Sequence, residues 1–318
     1  MYAWYQRART CYAYLADVQM VEDEHGNWEN SRAEFRRSAW FTRGWTLQEL
    51  LAPSEVLFLD RHWVVIGVKV RAIFEVKTRA DGTRVLNEDV SFVTGITIRD
   101  LWLPRSVCVA RKFSWVSRRE TTRVEDMAYC MLGLCEVNMP LLYGEGAKAF
   151  MRLQMEIIES SDDESIFAWY PDKYCNSLTS ILAPYPRMFA GSGSIVRCAS
   201  LPGKLPFSMT NKGLQYQVPR LQSRHDKSHK VDEKYVLLLD CCKMDKTQKV
   251  DDSKVVSVRL RFDGKRWSRS GLYCMELNDR SLWTNIVEST ECTYETLYIS
   301  TMEGSVIYYG DEKFGVMM

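Results

Sequence analysis

The spacing of apolar and polar positions changes character once along the chain, near Trp169. Ahead of that point the periodicity is helical, broken by short buried runs. From Met1 to Arg9, Trp4, Tyr5 and Ala8 share one face while Gln6, Arg7 and Arg9 lie off it. That is the spacing of an amphipathic helix, although no Ser, Thr, Asp or Asn cap precedes it. Cys11 to Ala16 predicts a strand ending at Asp17-Val18, and the polar stretch Val21 to Glu34 predicts a loop. Trp40 to Leu51 predicts a helix stopped by Pro53, since proline cannot continue one. Val56 to Leu59 predicts a short buried strand closed by Asp60, Val68 to Thr78 a helix, and Arg79 to Asn87 a turn-rich connector. Helices follow over Ser106 to Val116, Val124 to Leu134 and Ala147 to Glu159. Thr122-Arg-Val-Glu125 has the capping-box pattern, in which Thr and Glu satisfy each other's free backbone N–H groups. A helix feeding a short strand is half of an α/β unit, and the strand that should flank Cys11 to Ala16 is expected to be missing from the chain.

After Trp169, β-favouring runs alternate with turn signals: Leu214 to Val218, Tyr235 to Cys241, Val255 to Phe262, Thr296 to Ser300 and Ser305 to Tyr309. Two charged tracts, Arg224 to Lys234 and Lys243 to Lys254, read as exposed hairpin loops. The expected organisation is an α/β front domain over 1–165, a linker over 166–180, and a β-rich, sandwich-like domain over 181–318.

Composition narrows the function classes. A chain of 318 residues with 46% hydrophobic and 26% charged residues is globular. Its 42 basic and 41 acidic residues leave a net charge of +1, so no basic field points to nucleic acid. The 10 cysteines are scattered without a C-x-x-C pair, which predicts reduced thiols and a cytoplasmic location. Neither a membrane span nor a signal peptide is expected. His225 and His229 stand four apart in a charged tract without a third ligand, so no metal is expected. Gly144-Glu-Gly146 reads as a turn opening a helix, and Asp162-Asp-Glu164 as a helix end. Arg118, Arg119 and Arg123 form a basic knot expected to pair with Glu125 or Asp126.

Four stretches carry more than composition. They are Met1-Tyr-Ala-Trp-Tyr-Gln with Cys11-Tyr-Ala-Tyr-Leu-Ala-Asp17; Ser38-Ala-Trp-Phe-Thr-Arg-Gly-Trp-Thr-Leu-Gln-Glu-Leu-Leu-Ala-Pro53; Thr121-Thr-Arg-Val-Glu-Asp-Met-Ala-Tyr-Cys130; and Val137-Asn-Met-Pro-Leu-Leu-Tyr-Gly-Glu-Gly146. Together they resemble the HET (heterokaryon incompatibility) family of filamentous fungi over roughly residues 1 to 170. The chain departs from that family's pattern by lacking the upstream Trp-Gly segment and W-I-D-x-C-C-I-D-type strand. The resemblance therefore implies a partial, N-terminally truncated HET domain, distantly TIR-like, with its front strands missing. It also implies a part in non-self recognition and programmed cell death. Protein partners or self-association are expected, and no G-x-x-x-x-G-K-[ST] loop provides an ATP or GTP module.

Within the second stretch, a helix at about 100° per residue sets Glu49, Phe41 and Gln48 within roughly 60° of Trp45. Leu47, Leu50 and Leu51 fall on the opposite side. Two readings stay open. In one, rings beside a carboxylate line a groove for a flat ligand. In the other the helix is buried on both sides, with Glu49 paired to Arg43 or Arg123. The resemblance adds that Trp45-Thr-Leu-Gln-Glu49-Leu50 keeps the Trp-to-Glu spacing of NAD-cleaving TIR segments, with Thr46 where that pattern has cysteine. It implies a catalytic role for Glu49 and a binding role for Trp45, Gln48 and Phe41. NAD would be the substrate, no cofactor is required, and the missing front would impair the site. The alternatives are a non-enzymatic signalling module acting by self-association, and an inactive truncated product.

Overall fold

The computed structural model describes residues 1–22, 27–71, 77–171, 180–198, 204–219, 235–245, 247, 249–262, 267–276, 294–299 and 301. The chain divides into two compact units, one formed by Met1–Val107 with Trp115–Ala149, the other by Cys108–Ser114 with Phe150–Met318.

The first unit opens with α1 (Tyr2–Arg7) and β1 (Cys11–Tyr14), where the apolar spacing places them. A nine-residue helix, α2 (Glu29–Arg37), follows where the polar composition suggested a loop. Its polarity hides its one deeply buried ring, Phe35. Arg32 Nε at 2.7 Å and Arg36 Nη2 at 2.6 Å both bind Asp89 Oδ1 on α4 (Asn87–Thr94) and hold α2 in place. The expected helix over 40–51 is two pieces: a 3-10 turn at Ala39–Thr42, then α3 (Thr46–Leu51), with Arg43 extended between them. Then come β2 (Glu55–Leu59) and β3 (Val65–Val70), the latter overturning the helix expected from Val68. The β-branched run Val64-Val-Ile-Gly-Val-Lys-Val70 suits a pleated surface better than a helix.

β1 pairs in parallel with β2, from Cys11 opposite Val56 to Tyr14 opposite Leu59, and β2 pairs antiparallel with β3. The neighbour of β1 in this sheet thus lies later in the chain, across α2 and α3. Parallel partners require a long crossover, so adjacency in sequence cannot reveal them. Edge-to-face rings of Phe35, Trp40, Phe41 and Phe58 fill the space under this sheet. At the β2–β3 turn, the Asp60 carboxylate accepts N–H bonds from Met20, His62 and Val64 at 2.8–2.9 Å. Burial would push its carboxyl up, but those three donors hold it below the usual carboxylate range.

The rest of the first unit is built from α5 (Ile98–Trp102), the end of α6 (Val109–Val116), α7 (Asp126–Tyr129) and α8 (Leu132–Cys135). α7 and α8 replace the single helix expected over 124–134. The capping box does not form as predicted, because Glu125 Oε1 instead accepts the N–H groups of Gly144 (2.7 Å) and Gly146 (3.0 Å). α1 lies so close to α8 that a Cβ on Gly133 would come within 2.1 Å of Tyr2 Cβ.

In the second unit, α9 (Lys148–Ser160) buries Phe150, Leu153, Gln154, Ile157 and Ile158, the helical face its spacing predicts. Ile166 to Trp169, expected to begin a linker, are fully buried. β4 (Ile195–Arg197), β5 (Ser208–Thr210), β6 (Gly213–Pro219), β7 (Tyr235–Met244), β8 (Val250–Phe262), β9 (Trp267–Glu276) and β10 (Tyr294–Ile299) make one seven-stranded sheet in the order β4-β7-β8-β9-β10-β6-β5. Tyr216 on β6 donates to Leu238 O on β7, four places away in that order, so the one sheet folds back on itself. The tract expected as a loop over 243–254 is mostly strand. Asp245 Oδ1 holds its tight turn by accepting from Thr247 N and Lys249 N. The runs expected at 224–234 and 305–309 lie outside the described residues.

The interior of this unit holds two polar devices. Glu164 Oε2 accepts from Lys204 Nζ (2.6 Å), Tyr216 Oη (2.7 Å) and Asp240 N (2.7 Å). Arg269 stacks 3.6 Å over Trp169 and donates to the carbonyls of Phe167 and Trp169. Among the described residues, cysteines 11, 108, 130, 135, 198, 241 and 242 form no disulfide.

Lys69 is wholly buried on β3, donates to Pro53 O at 2.9 Å, and is pushed down to about 7 by burial and then by nearby Arg71, with Cys11 opposing. The unfolded chain holds this proton up to the ordinary value of 10.5. Between about pH 7 and 10.5 the unfolded state therefore binds more protons, and stability rises with pH. Lys69→Met is expected to raise stability at neutral pH by about 1–4 kcal/mol. It should also flatten the pH dependence of the melting temperature across that window, as thermal melts at several pH values will show.

Candidate functional site

Glu49 sits on a helix of only six residues, too short to persist on its own. Neighbouring elements fix it at both ends. At the start, Thr46 Oγ1 lies 2.6 Å from Trp40 O and 2.8 Å from Arg43 O, and receives Arg119 Nη1 at 3.0 Å. Arg119 also donates to Arg43 O at 2.9 Å and Trp115 O at 3.2 Å. Its burial lowers it to about 10, still well above neutrality. At the end of the helix, Arg71 Nη2 caps the carbonyls of Leu51 (2.9 Å) and Ala52 (3.2 Å), where a cation also suits the helix dipole. Gly44 permits the approach at the front, because a Cβ there would stand 2.4 Å from Thr121 Cγ2.

The four residues expected to share one face part company. Phe41 lies in the preceding 3-10 turn, 6% exposed, within the aromatic cluster. Gln48 is 3% exposed and donates through Nε2 to Cys130 O at 2.5 Å. Trp45 and Glu49 are partly exposed. Glu49 pairs with neither Arg43 nor Arg123 among the described contacts; its Oε1 accepts from Tyr5 Oη on α1 at 3.2 Å. Arg123 instead stacks 4.6 Å over Tyr143.

Two groups that the sequence pattern did not single out, Tyr5 and Cys11, stand by Glu49, and Lys69 lies by Cys11. Tyr5 is pushed up to about 12, first by burial and then by the charge of Glu49 and its hydrogen bond. Cys11 is pushed up to about 11 by burial and by Glu49, with Lys69 opposing. Lys69 shares a sheet face with Cys11, since both register with Val56. At neutral pH the phenol and thiol therefore keep their protons. Glu49 provides a fixed carboxylate beside a phenol donor. One signal in the sequence bore on this: a lone lysine inside an apolar β-branched run.

The other candidates resolve into structural roles or fall outside the description. Gly144 and Gly146 bind the Glu125 carboxylate, whose carboxyl is held below the usual range first by its own backbone N–H and then by those of Gly146 and Gly144. Asp163 caps the 3-10 turn at Glu164–Phe167 through Ser165 N. His225 and His229 lie outside the described residues. Among the described residues no cluster of three His, Cys, Asp or Glu side chains could hold a metal ion, and no helix is long and apolar enough to cross a membrane.

Over 160 residues the chain is 38% identical to the vegetative incompatibility protein HET-E-1 of Podospora anserina. The match covers 49% of this chain and 11% of that protein's length. The likeness supports a relationship to fungal heterokaryon-incompatibility proteins. No family model matches the chain, and no solved structure does.

The anchoring of α3 can be tested without reference to any activity. Thr46→Val removes the hydroxyl that Arg119 and two carbonyls share, leaving buried partners unsatisfied. It is expected to cost about 1–3 kcal/mol. Thr46→Ser should recover most of that loss in a denaturant titration.

Proposed function

We propose that this chain is a heterokaryon-incompatibility-type effector whose first unit cleaves the nicotinamide–ribose bond of NAD, with Glu49 as the catalytic carboxylate. The placement of Glu49 carries the reading: a partly exposed carboxylate on a rigidly fixed helix, beside a ring that is also partly exposed, Trp45. As nicotinamide departs with the bonding electron pair, positive charge develops at the ribose anomeric carbon. A carboxylate held against that carbon stabilises the oxocarbenium-like centre. Water then adds to the carbon, giving ADP-ribose and a proton. Tyr5 keeps the carboxylate in position through its hydrogen bond, and Trp45 offers a face for a flat ring. Phe41 and Gln48 support the site from within the core. The full incompatibility response, with its trigger and partners, belongs to the same proposal.

The experiment measures nicotinamide released from NAD by the purified chain, by chromatography. Wild type is expected to turn NAD over, and Glu49→Gln to reduce the rate by about 100-fold or more. Tyr5→Phe, which loosens the carboxylate without removing it, is expected to cost about tenfold. Equal rates for wild type and Glu49→Gln, or no release by wild type, would overturn the assignment.

A further inference from the structure

Between α8 and α9 runs a loop that is fixed from beneath and bare on top. Residues 140–144 are consecutively exposed. Leu141 is 47% exposed, Leu142 53% and Tyr143 48%. Two buried side chains at the ends of α7 hold the backbone under them. The Tyr129 hydroxyl accepts from Leu142 N at 2.8 Å and lies 2.9 Å from Leu142 O. Glu125 takes the N–H groups of Gly144 and Gly146, whose φ values of 103° and 60° suit glycine. A Cβ on either glycine would meet nothing within 4 Å, so this end of the loop projects from the surface. Ordering a backbone costs entropy that is ordinarily offset by burying apolar side chains. Here buried polar groups do the ordering, and the leucines stay in water.

The charge around the loop is one-sided. Its neighbouring carboxylates are engaged: Glu125 with the two glycines, Asp126 with the Tyr143 hydroxyl at 2.9 Å, and Glu145 with that of Tyr129 at 2.9 Å. Arg123, stacked 4.6 Å over Tyr143, and the exposed Lys148 just beyond the loop form no ion pair among the described residues.

We propose that this loop inserts its tip, Leu141 and Leu142, into the interface of a bilayer containing anionic lipid. Three observations favour lipid over a folded protein partner. The tip is convex, and a fluid surface closes around a projection without a matching groove. Leu142, at its centre, has both backbone groups met from within the chain, which a medium poor in hydrogen-bond partners demands. Behind the leucines come an amphipathic tyrosine and then two cations without carboxylate partners, the order in which a bilayer presents acyl chain, headgroup level and lipid phosphate. A net charge of +1 gives the chain no general attraction to such a surface, so the local cations must supply it. With so little apolar area the binding is reversible. The inference is independent of the chemistry at Glu49.

Flotation of the purified chain with phosphatidylcholine vesicles, with and without phosphatidylserine, tests this. Wild type is expected to float with the mixed vesicles, and to be released by about 0.5 M salt, which screens the cations. The double variant Leu141→Ser/Leu142→Ser should bind at least tenfold more weakly, and Arg123→Gln about fivefold, both with unchanged circular dichroism spectra. Phe92→Ser, which removes a ring 71% exposed elsewhere in the same unit, should bind as wild type. In a Leu142→Trp chain, brominated lipid should quench a larger share of the tryptophan fluorescence than in wild type. Wild type that ignores phosphatidylserine vesicles overturns the proposal, as does binding that the double serine variant retains. Equal quenching in wild type and Leu142→Trp overturns insertion of the tip. A chain that ignores vesicles but self-associates, and loses that association in the double variant, assigns the loop to protein contact instead and overturns the lipid reading.

Discussion

The first unit depends on how a one-and-a-half-turn helix is held. α3 cannot gain enough from its own hydrogen bonds to offset the entropy of forming it. Its position comes from buried polar contacts with distant parts of the chain: Arg119 on Thr46 and Arg43 O at the front, Gln48 on Cys130 O along its length, and Arg71 at the end. Each anchor uses backbone carbonyls as acceptors. A carbonyl's place is set by the chain path, so the fold itself aims the helix. Glu49 is thereby left as a fixed carboxylate among protonated neighbours.

The second unit follows the same logic with different parts. Arg269 reaches the carbonyls of Phe167 and Trp169, and Lys204 bridges Glu164, Asp240 and Leu238 O. Taking such charges out of water costs several kcal/mol per ion. They persist where every alternative would leave a neighbouring acceptor unpaired. The Glu164 oxygen receiving three donors is the clearest case, since replacing Glu164 removes the acceptor of all three. Both units thus join apolar cores to a few buried cations that specify how the pieces fit.

Local periodicity made much of the architecture legible. α1, β1, β2, α9 and the strands β6 to β8 and β10 follow from spacing and turn residues alone. The failures share a physical origin. α2 was read as loop because its stability comes from Asp89 gripping two arginines. β3 was read as helix because a short apolar run carries no decisive period. The helix over 40–51 breaks at Arg43 and Gly44, where Gly44 N donates to Glu120 O far along the chain. At the site, the sequence singled out Glu49 and Trp45, but it grouped them with Phe41 and Gln48 on an assumed unbroken helix. That break rotates Phe41 into a separate element.

The sequence by itself determined the order of textures, a mixed α/β front followed by a β-rich back, and the presence of a signature segment around Glu49. It did so because periodicity and motif are properties of neighbouring residues. The tertiary structure decided that Tyr5 and Cys11 stand by Glu49, that β1 runs parallel to β2, and that β1 carries two exposed tyrosines. Those facts depend on which segments meet after a long crossover. No local rule encodes such a meeting, because it is set by the burial and hydrogen bonding of the chain as a whole.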